Sequence, residues 1–274
     1  MIILETGIGP ALLMHRLALA LECIDSVTER PIRSSVRLGR EVRGPQTGLE
    51  QDAGWPCVDL LDKGVGRGAL TFGRPLPDVV TIRIADPTRH AVPRRLSIPL
   101  WPAPDGANAA LAAVPAVSRS ARPWLLPGSA YLLPPGSTSV RGTLMRGASA
   151  LRWARITARG PGGMVVGRAH ADDRGEFLLI ILSTGSLPPP APSELDITLE
   201  IHAGPQAAAS ADNLGDLPIE RLIMPAAPPN PGDLLNDTIR GRAIPPGYAG
   251  STPLGPYTVP IGSQFSLSTR VVFP

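Results

Sequence analysis

Between residues 140 and 182, apolar and polar positions recur in short runs separated by turn-forming residues, as strands joined by hairpins do. Residues 140–144 read as a strand, and Gly147 to Ser149 as the gap that follows it. Residues 151–158 alternate, with Trp153, Ile156 and Ala158 set against Arg152, Arg155 and Thr157. This alternation predicts Trp153 in the core and the arginines outside. Arg159-Gly160-Pro161-Gly162-Gly163 and Asp172-Asp173-Arg174-Gly175 have turn chemistry. Residues 164–171 between them form a third run, and residues 176–182 are continuously apolar, as a buried strand requires. Four short strands at roughly ten-residue spacing predict a small antiparallel β-sandwich.

The pattern is looser elsewhere. Residues 12–23 fit a helix by their Leu and Ala content, but a strand over 15–23 is preferred because residues 25–31 read as the loop of a β-unit. Residues 32–38 set Ile32, Val36 and Leu38 against Arg33, Ser35 and Arg37. Strands are also predicted over 55–61, 69–72, 79–85 and 95–101. In 79–85, Val80, Ile82 and Ile84 share a face opposite Thr81 and Arg83; in 95–101, Leu96, Ile98 and Leu100 point inward. Residues 44–54 and 204–215 are loops. Residues 187–192 form a stiff polyproline stretch, read as a rigid crossover, with a ligand for a proline-binding groove as the minority reading. Late strands are predicted over 257–261 and 266–273, and the second suits addition to an exposed sheet edge.

Val140, Gly142 and Leu144, the run Ala154-Arg155-Ile156-Thr157-Ala158, Gly167, and Asp172, Asp173, Gly175 and Phe177 together resemble the carboxypeptidase regulatory-like domain, a transthyretin-like β-sandwich. The resemblance covers residues 140–203 and implies an accessory module without catalysis. The first half reads as a divergent copy. Asp25, Thr28, Pro31 and Ile32 resemble the opening of such a domain; residues 66–72 answer 172–177, and residues 80–85 answer 197–202. The predicted class is therefore all-β: two tandem antiparallel transthyretin/immunoglobulin-like β-sandwiches with extended Pro-rich terminal and linking segments. The divisions are 1–14, an N-terminal arm; 15–101, the first sandwich; 102–138, a Pro/Ala-rich linker; 139–203, the second sandwich; and 204–274, an extended C-terminal arm. That last arm is expected to drape over the sandwiches or over a neighbouring subunit.

Composition supports this class. The 33 prolines and 29 glycines in 274 residues oppose long helices and suit short strands with tight turns. The net charge is +3, and the cations are almost all arginine, spread along the chain, with Lys63 the single lysine. Dispersed arginine is a weak argument for nucleic acid and an equally good one for an assembly surface. Cys23 and Cys57 match no zinc spacing and read as buried thiols, with a disulfide between them left open if the chain is exported. The apolar N-terminus is interrupted by Glu5, Pro10, His15 and Arg16 and reads as neither signal nor anchor.

The best metal candidate is His170-Ala171-Asp172-Asp173, whose prevailing reading is a polar strand end and a hairpin turn. His15, His90 and His202 are isolated. No nucleophile motif occurs, and Gly64-Val65-Gly66-Arg67-Gly68 lacks the lysine and helix of a phosphate loop. No catalytic, cofactor-binding or metal residue is therefore predicted. The expected function is a non-enzymatic structural protein, cytoplasmic at synthesis. It would bind partner subunits or itself within a multi-protein particle, plausibly a phage-tail-like or contractile injection machine, with neither nucleic acid nor membrane as partner. The alternative is a soluble carbohydrate- or peptide-binding module that uses loops 44–54 and 204–215.

Overall fold

The runs with the cleanest alternation lie at the centres of the sheets. The computed structural model describes residues 2–6, 9–13, 17–33, 35–42, 55–62, 65–72, 76–103, 114–182, 192–205, 212–223, 236–251, 253–267 and 270–273. The loop at 44–54, the polyproline stretch apart from Pro192, and the phosphate-loop candidate at Gly64 fall wholly or partly outside these residues. The described residues are all-β, with no α-helix among them.

In the first half, β9 (Val79–Ala85) lies between β10 (Arg94–Pro99) and β5 (Arg37–Glu41), and β5 also pairs with β6 (Cys57–Asp59). The facing sheet pairs β3 (Leu17–Glu22) with β8 (Arg67–Thr71), and β8 with β7 (Leu61–Asp62). Val80, Ile82, Ile84, Leu96 and Ile98 fill the space between them, with Leu19 and Leu21 opposite. Two strands depart from the sequence reading. The strand expected over 32–38 is displaced to Arg37–Glu41, because Ile32 donates its N–H to the Cys23 carbonyl (2.9 Å) and ends a turn. The strand expected over 55–61 is split between the two sheets as β6 and β7. The strand expected over 15–23 is β3, with no helix among its described residues.

In the second half, β13 (Thr138–Arg146) pairs with β17 (Glu176–Ile181), and β14 (Ser149–Ala150) closes a hairpin on the end of β13. The facing sheet has β15 (Arg155–Arg159) between β16 (Val165–His170) and β18 (Glu194–Ala203), with β21 (Leu254–Pro260) beyond β18. Leu195, Ile197, Leu199 and Ile201 alternate into a second core with Val140, Leu144, Phe177 and Leu179. β17 is buried from Phe177 to Ile181, as its unbroken apolar run predicts.

Both halves follow one pairing plan. The first strand pairs with the fourth (β3 with β8, β13 with β17), and the second with the third (β5 with β6, β15 with β16). The fifth strand pairs with the second (β9 with β5, β18 with β15), and the sixth with the fifth (β10 with β9, β21 with β18). Every one of these pairings is antiparallel. The segment after each half then returns to lie parallel to its first strand: β11 (Ser120–Ala121) on β3, and β22 (Gln264–Ser266) and β23 (Val271–Val272) on β13. A second parallel contact, β12 (Trp124–Leu125) on β4 (Ile24–Asp25), continues the first.

The segment expected as a C-terminal arm is thus paired within its own chain. β19 (Ile219–Arg221) adds parallel to β10, extending the first half's sheet, and β20 (Ala249–Gly250) joins β18. At the N-terminus, β1 (Ile2–Thr6) and β2 (Gly9–Leu13) form an antiparallel hairpin.

Two glycines of the second half show what fixes its turns and layers. Gly175 closes the β16–β17 turn at φ +72°, a conformation that a side chain disfavours. Gly167 lies where β16 crosses close to β17: a Cβ there would stand 2.7 Å from the Ile180 carbonyl oxygen and 3.2 Å from Leu179 Cδ2. Backbone cannot yield as a side-chain tip can, so Gly167→Ala is expected to lower stability by about 1–3 kcal/mol. Urea unfolding would show this as a lower midpoint at unchanged slope.

Candidate functional site

The functional surfaces are built around the junction of the two halves. Arg94, at the start of β10, is fully buried and forms a double contact with Glu220 of β19, Nε to Oε1 at 3.1 Å and NH2 to Oε2 at 2.6 Å. Arg155, the first residue of β15, reaches the same carboxylate from the second half, NH2 to Oε1 at 3.1 Å. The remaining Arg94 donors are used on the carbonyls of Trp124 (2.7 Å), Ile239 (2.9 Å) and Thr238. Burial acts to raise the Glu220 carboxyl, but the charges of Arg94 and Arg155 and the Arg94 hydrogen bond outweigh it, so the net shift is downward.

The placement of Arg155 corrects the sequence reading. Residues 151–158 are not one alternating strand: Trp153 has φ +59° and sits in a turn, and the strand begins at Arg155. Trp153 is buried, as expected, but beside Val92 and Leu217 at the junction, with its indole N–H donated to Asp216 (2.9 Å). Arg155 is buried with it instead of facing solvent.

His170-Ala171-Asp172-Asp173 is also used at this junction. Asp172 Oδ1 accepts the N–H groups of Arg174 (2.9 Å) and Glu176 (3.0 Å), which makes the turn. Arg89, from the β9–β10 loop, binds both oxygens of Asp173 (2.7 and 3.1 Å) and Asp172 Oδ2 (3.1 Å). His170 is buried, and its Nε2 lies 2.8 Å from the Gly241 carbonyl, to which it donates. Burial, reinforced by the charges of Arg155 and Arg94, holds this imidazole well below its usual range, in the neutral form. Among the described residues, no group of three or more His, Cys, Asp or Glu side chains could hold a metal. His90 Nδ1 lies 2.7 Å from Thr88 Oγ1, His202 is half-buried on β18, and His15 lies outside the described residues. Cys23 and Cys57 are free buried thiols, pushed up to about 12 by burial.

Two larger clefts flank the junction. One, of about 730 Å³, adjoins the described parts of the 204–215 loop and is lined by Trp153, Tyr248, Pro246, Arg146, Arg152 and Arg221. Its aromatic groups are engaged internally, since the Tyr248 hydroxyl donates to the Trp153 carbonyl (3.1 Å). The other, of about 680 Å³, includes Asp25, Arg30, His90 and Tyr131, and there the Tyr131 hydroxyl donates to Asp25 Oδ2 (2.9 Å). The chain's 4 Trp, 3 Tyr and 4 Phe are all buried or half-buried, so no aromatic side chain stands exposed as a stacking platform. No helix among the described residues is long and apolar enough to cross a membrane.

No protein-family model matches the chain, and no curated protein matches it. Among solved structures, it is similar to GBS52, the minor pilin of Streptococcus agalactiae, at 6% identity over 93% of this chain and 96% of that one, with a TM-score of 0.21. A double mutant of the shaft pilin SpaA from Lactobacillus rhamnosus GG matches at 13% identity over 73% of this chain and 95% of that one, with a TM-score of 0.19. At these scores neither likeness carries an argument about this chain.

Two outcomes follow from the junction. Glu220→Gln strands two buried guanidiniums and should cost about 3–5 kcal/mol in chemical denaturation. The His170 pKa is lower in the folded than in the unfolded state, so its contribution is complete above about pH 6.5 and is lost as pH falls below it. Thermal scans between pH 7 and 5 should therefore show falling stability, and His170→Gln should flatten that slope. The Glu220 contribution is lost only in a lower window, as pH falls from its ordinary 4.5 through its depressed value.

Proposed function

We propose that the chain is a non-enzymatic structural subunit that joins partner subunits, or further copies of itself, into a multi-protein particle through the edges of its β-sandwiches. The observation that carries this reading is how the chain treats its own edges. Three edge positions are filled by segments that arrive from outside the antiparallel plan and lie parallel: β11 on β3, β19 on β10, and β22 with β23 on β13. The outer sides of the six-residue strands β16 and β17 hydrogen-bond to no further strand among the described residues, although the two strands approach each other at Gly167. Unpaired edges are templates for another chain. A phage-tail-like or contractile injection machine is the class of particle proposed, by analogy with the small sandwich modules such machines use, and a transthyretin-like ancestry for the second half belongs to the same proposal.

The alternative, a carbohydrate- or peptide-binding module, is favoured by the cleft of about 730 Å³ beside Tyr248. It is weakened by the absence of exposed aromatic side chains. Hydrogen exchange separates the two readings. For an assembly subunit, β19, β21 and β22 are protected in the isolated chain, and β16 or β17 gains protection only in a large complex formed with extract of the native host. A chain that stays monomeric in that extract, with both edges exchanging as before, would end the assembly reading.

A further inference from the structure

One cleft gathers three arginines that have no carboxylate partner among the described residues. Its volume is about 380 Å³, at the lower end for a ligand-sized cleft. Residues 165–168 of β16 line it together with Ile180 of β17 and Leu182, and β16 has a ladder partner on one side only among the described residues. Trp124 of β12 and the turn bearing Arg240 and Arg242 also line it.

Arg168, Arg240 and Arg242 all line this cleft, with Glu29 as the only acidic residue of the lining. Other arginines do meet carboxylates, among them Arg67, Arg83, Arg89, Arg94, Arg155 and Arg159. The three cleft arginines form no ion pair among the described residues. Arg240 is held in place by stacking over the Trp124 ring at 4.7 Å, and its Nε is buried without a hydrogen-bond partner. Arg168 is depressed in basicity by burial first and then by the charge of Arg242, with the nearby Asp237 acting in the opposite sense, so Arg168 and Arg242 repel each other where they stand. Cations gathered in this way are relieved by an anion.

The surroundings favour a peptide as the source of that anion. The wall is a β-strand with no ladder partner on its outer side among the described residues, and exposed apolar side chains lie nearby: Leu182 (63% exposed) in the cleft lining, and Met164 (55%) just before β16. A nucleic acid would call for exposed aromatic faces, which the chain does not present. We propose that this cleft docks a short, extended, carboxylate-bearing segment of a partner protein, which runs along β16 as an added strand and sets its acidic side chains against Arg168, Arg240 and Arg242. The proposal rests on the assembly reading and specifies the partner's chemistry.

The test uses the whole chain and a fluorescein-labelled peptide of alternating Glu and Val, followed by anisotropy and hydrogen exchange. Binding is expected, with protection of residues 165–168. It should weaken about tenfold or more with the Gln-for-Glu peptide, with R168Q/R242Q, and at high salt. Arg242 is exposed, so Arg242→Gln alone keeps the comparison usable if the double variant folds poorly. N-methylation of alternate peptide nitrogens along one edge should abolish binding without altering charge. The proposal is overturned if the acidic peptide does not bind, if R242Q and R168Q/R242Q bind it as well as the parent chain does, or if a single-stranded oligonucleotide competes it off. Equal protection by the Gln peptide overturns the acidic specificity alone and leaves edge docking intact. A monomer in host extract with unprotected edges defeats the assembly reading itself.

Discussion

The architecture depends on one carboxylate. Glu220 sits on a three-residue strand too short to be stable alone, yet it is where both halves meet: Arg94 holds it from the first and Arg155 from the second. Removing three charges from water is expensive, and the cost is offset only because nearly every donor in the group has an acceptor. Arg94 adds three backbone carbonyls to the carboxylate, and two of them belong to the 238–239 turn. The network therefore fixes the path of the chain after β19 as well as the angle between the sandwiches. Trp153 and Leu217 close its flank, and the Asp172–Arg89 contacts close the other end of the junction.

Within each half, an ordinary apolar core does the work, and the repeated pairing plan shows how little the two sequences need share to build it. β9 and β18 occupy the same place and both alternate strictly on the inner face, through Val80, Ile82 and Ile84 in one and Leu195, Ile197, Leu199 and Ile201 in the other. Their outer faces diverge. In β9, Arg83 is buried by Glu41 and Asp212, whereas β18 carries Glu200 outward to Arg159.

This explains what could be read from the sequence. Period-two alternation and turn residues are local, so the strands at Val79–Ala85, Arg94–Pro99 and Glu176–Ile181 and the turn at Gly175 were legible. The all-β class followed from them. Arg155 could not be read, because the residue that permits its burial lies 65 positions away. Trp153 misled for a related reason: only tertiary contacts hold a tryptophan at positive φ, and a pattern that counts it as a strand residue puts its neighbours on the wrong faces. The strand at Arg37–Glu41 was misplaced because Ile32 is bound to Cys23. The cationic cleft was invisible for the same reason as Arg155, since Arg168 and Arg242 come together only when the turn after β19 folds back onto β16.

The position of β19 also bears on the order of events at the ribosome. The first sandwich lacks its fifth sheet strand, and Arg94 lacks its counter-ion, until residues 219–221 have been synthesised far downstream. The amino-terminal half must therefore wait, with a buried arginine unmatched and the β10 edge bare, while β13 to β18 of the second sandwich emerge. Such long-range closure slows folding and prolongs the exposure of a pairing-competent edge. A nascent chain of this design should depend on chaperones until its last quarter is made, and truncations after residue 203 should yield an aggregation-prone product instead of two independent domains.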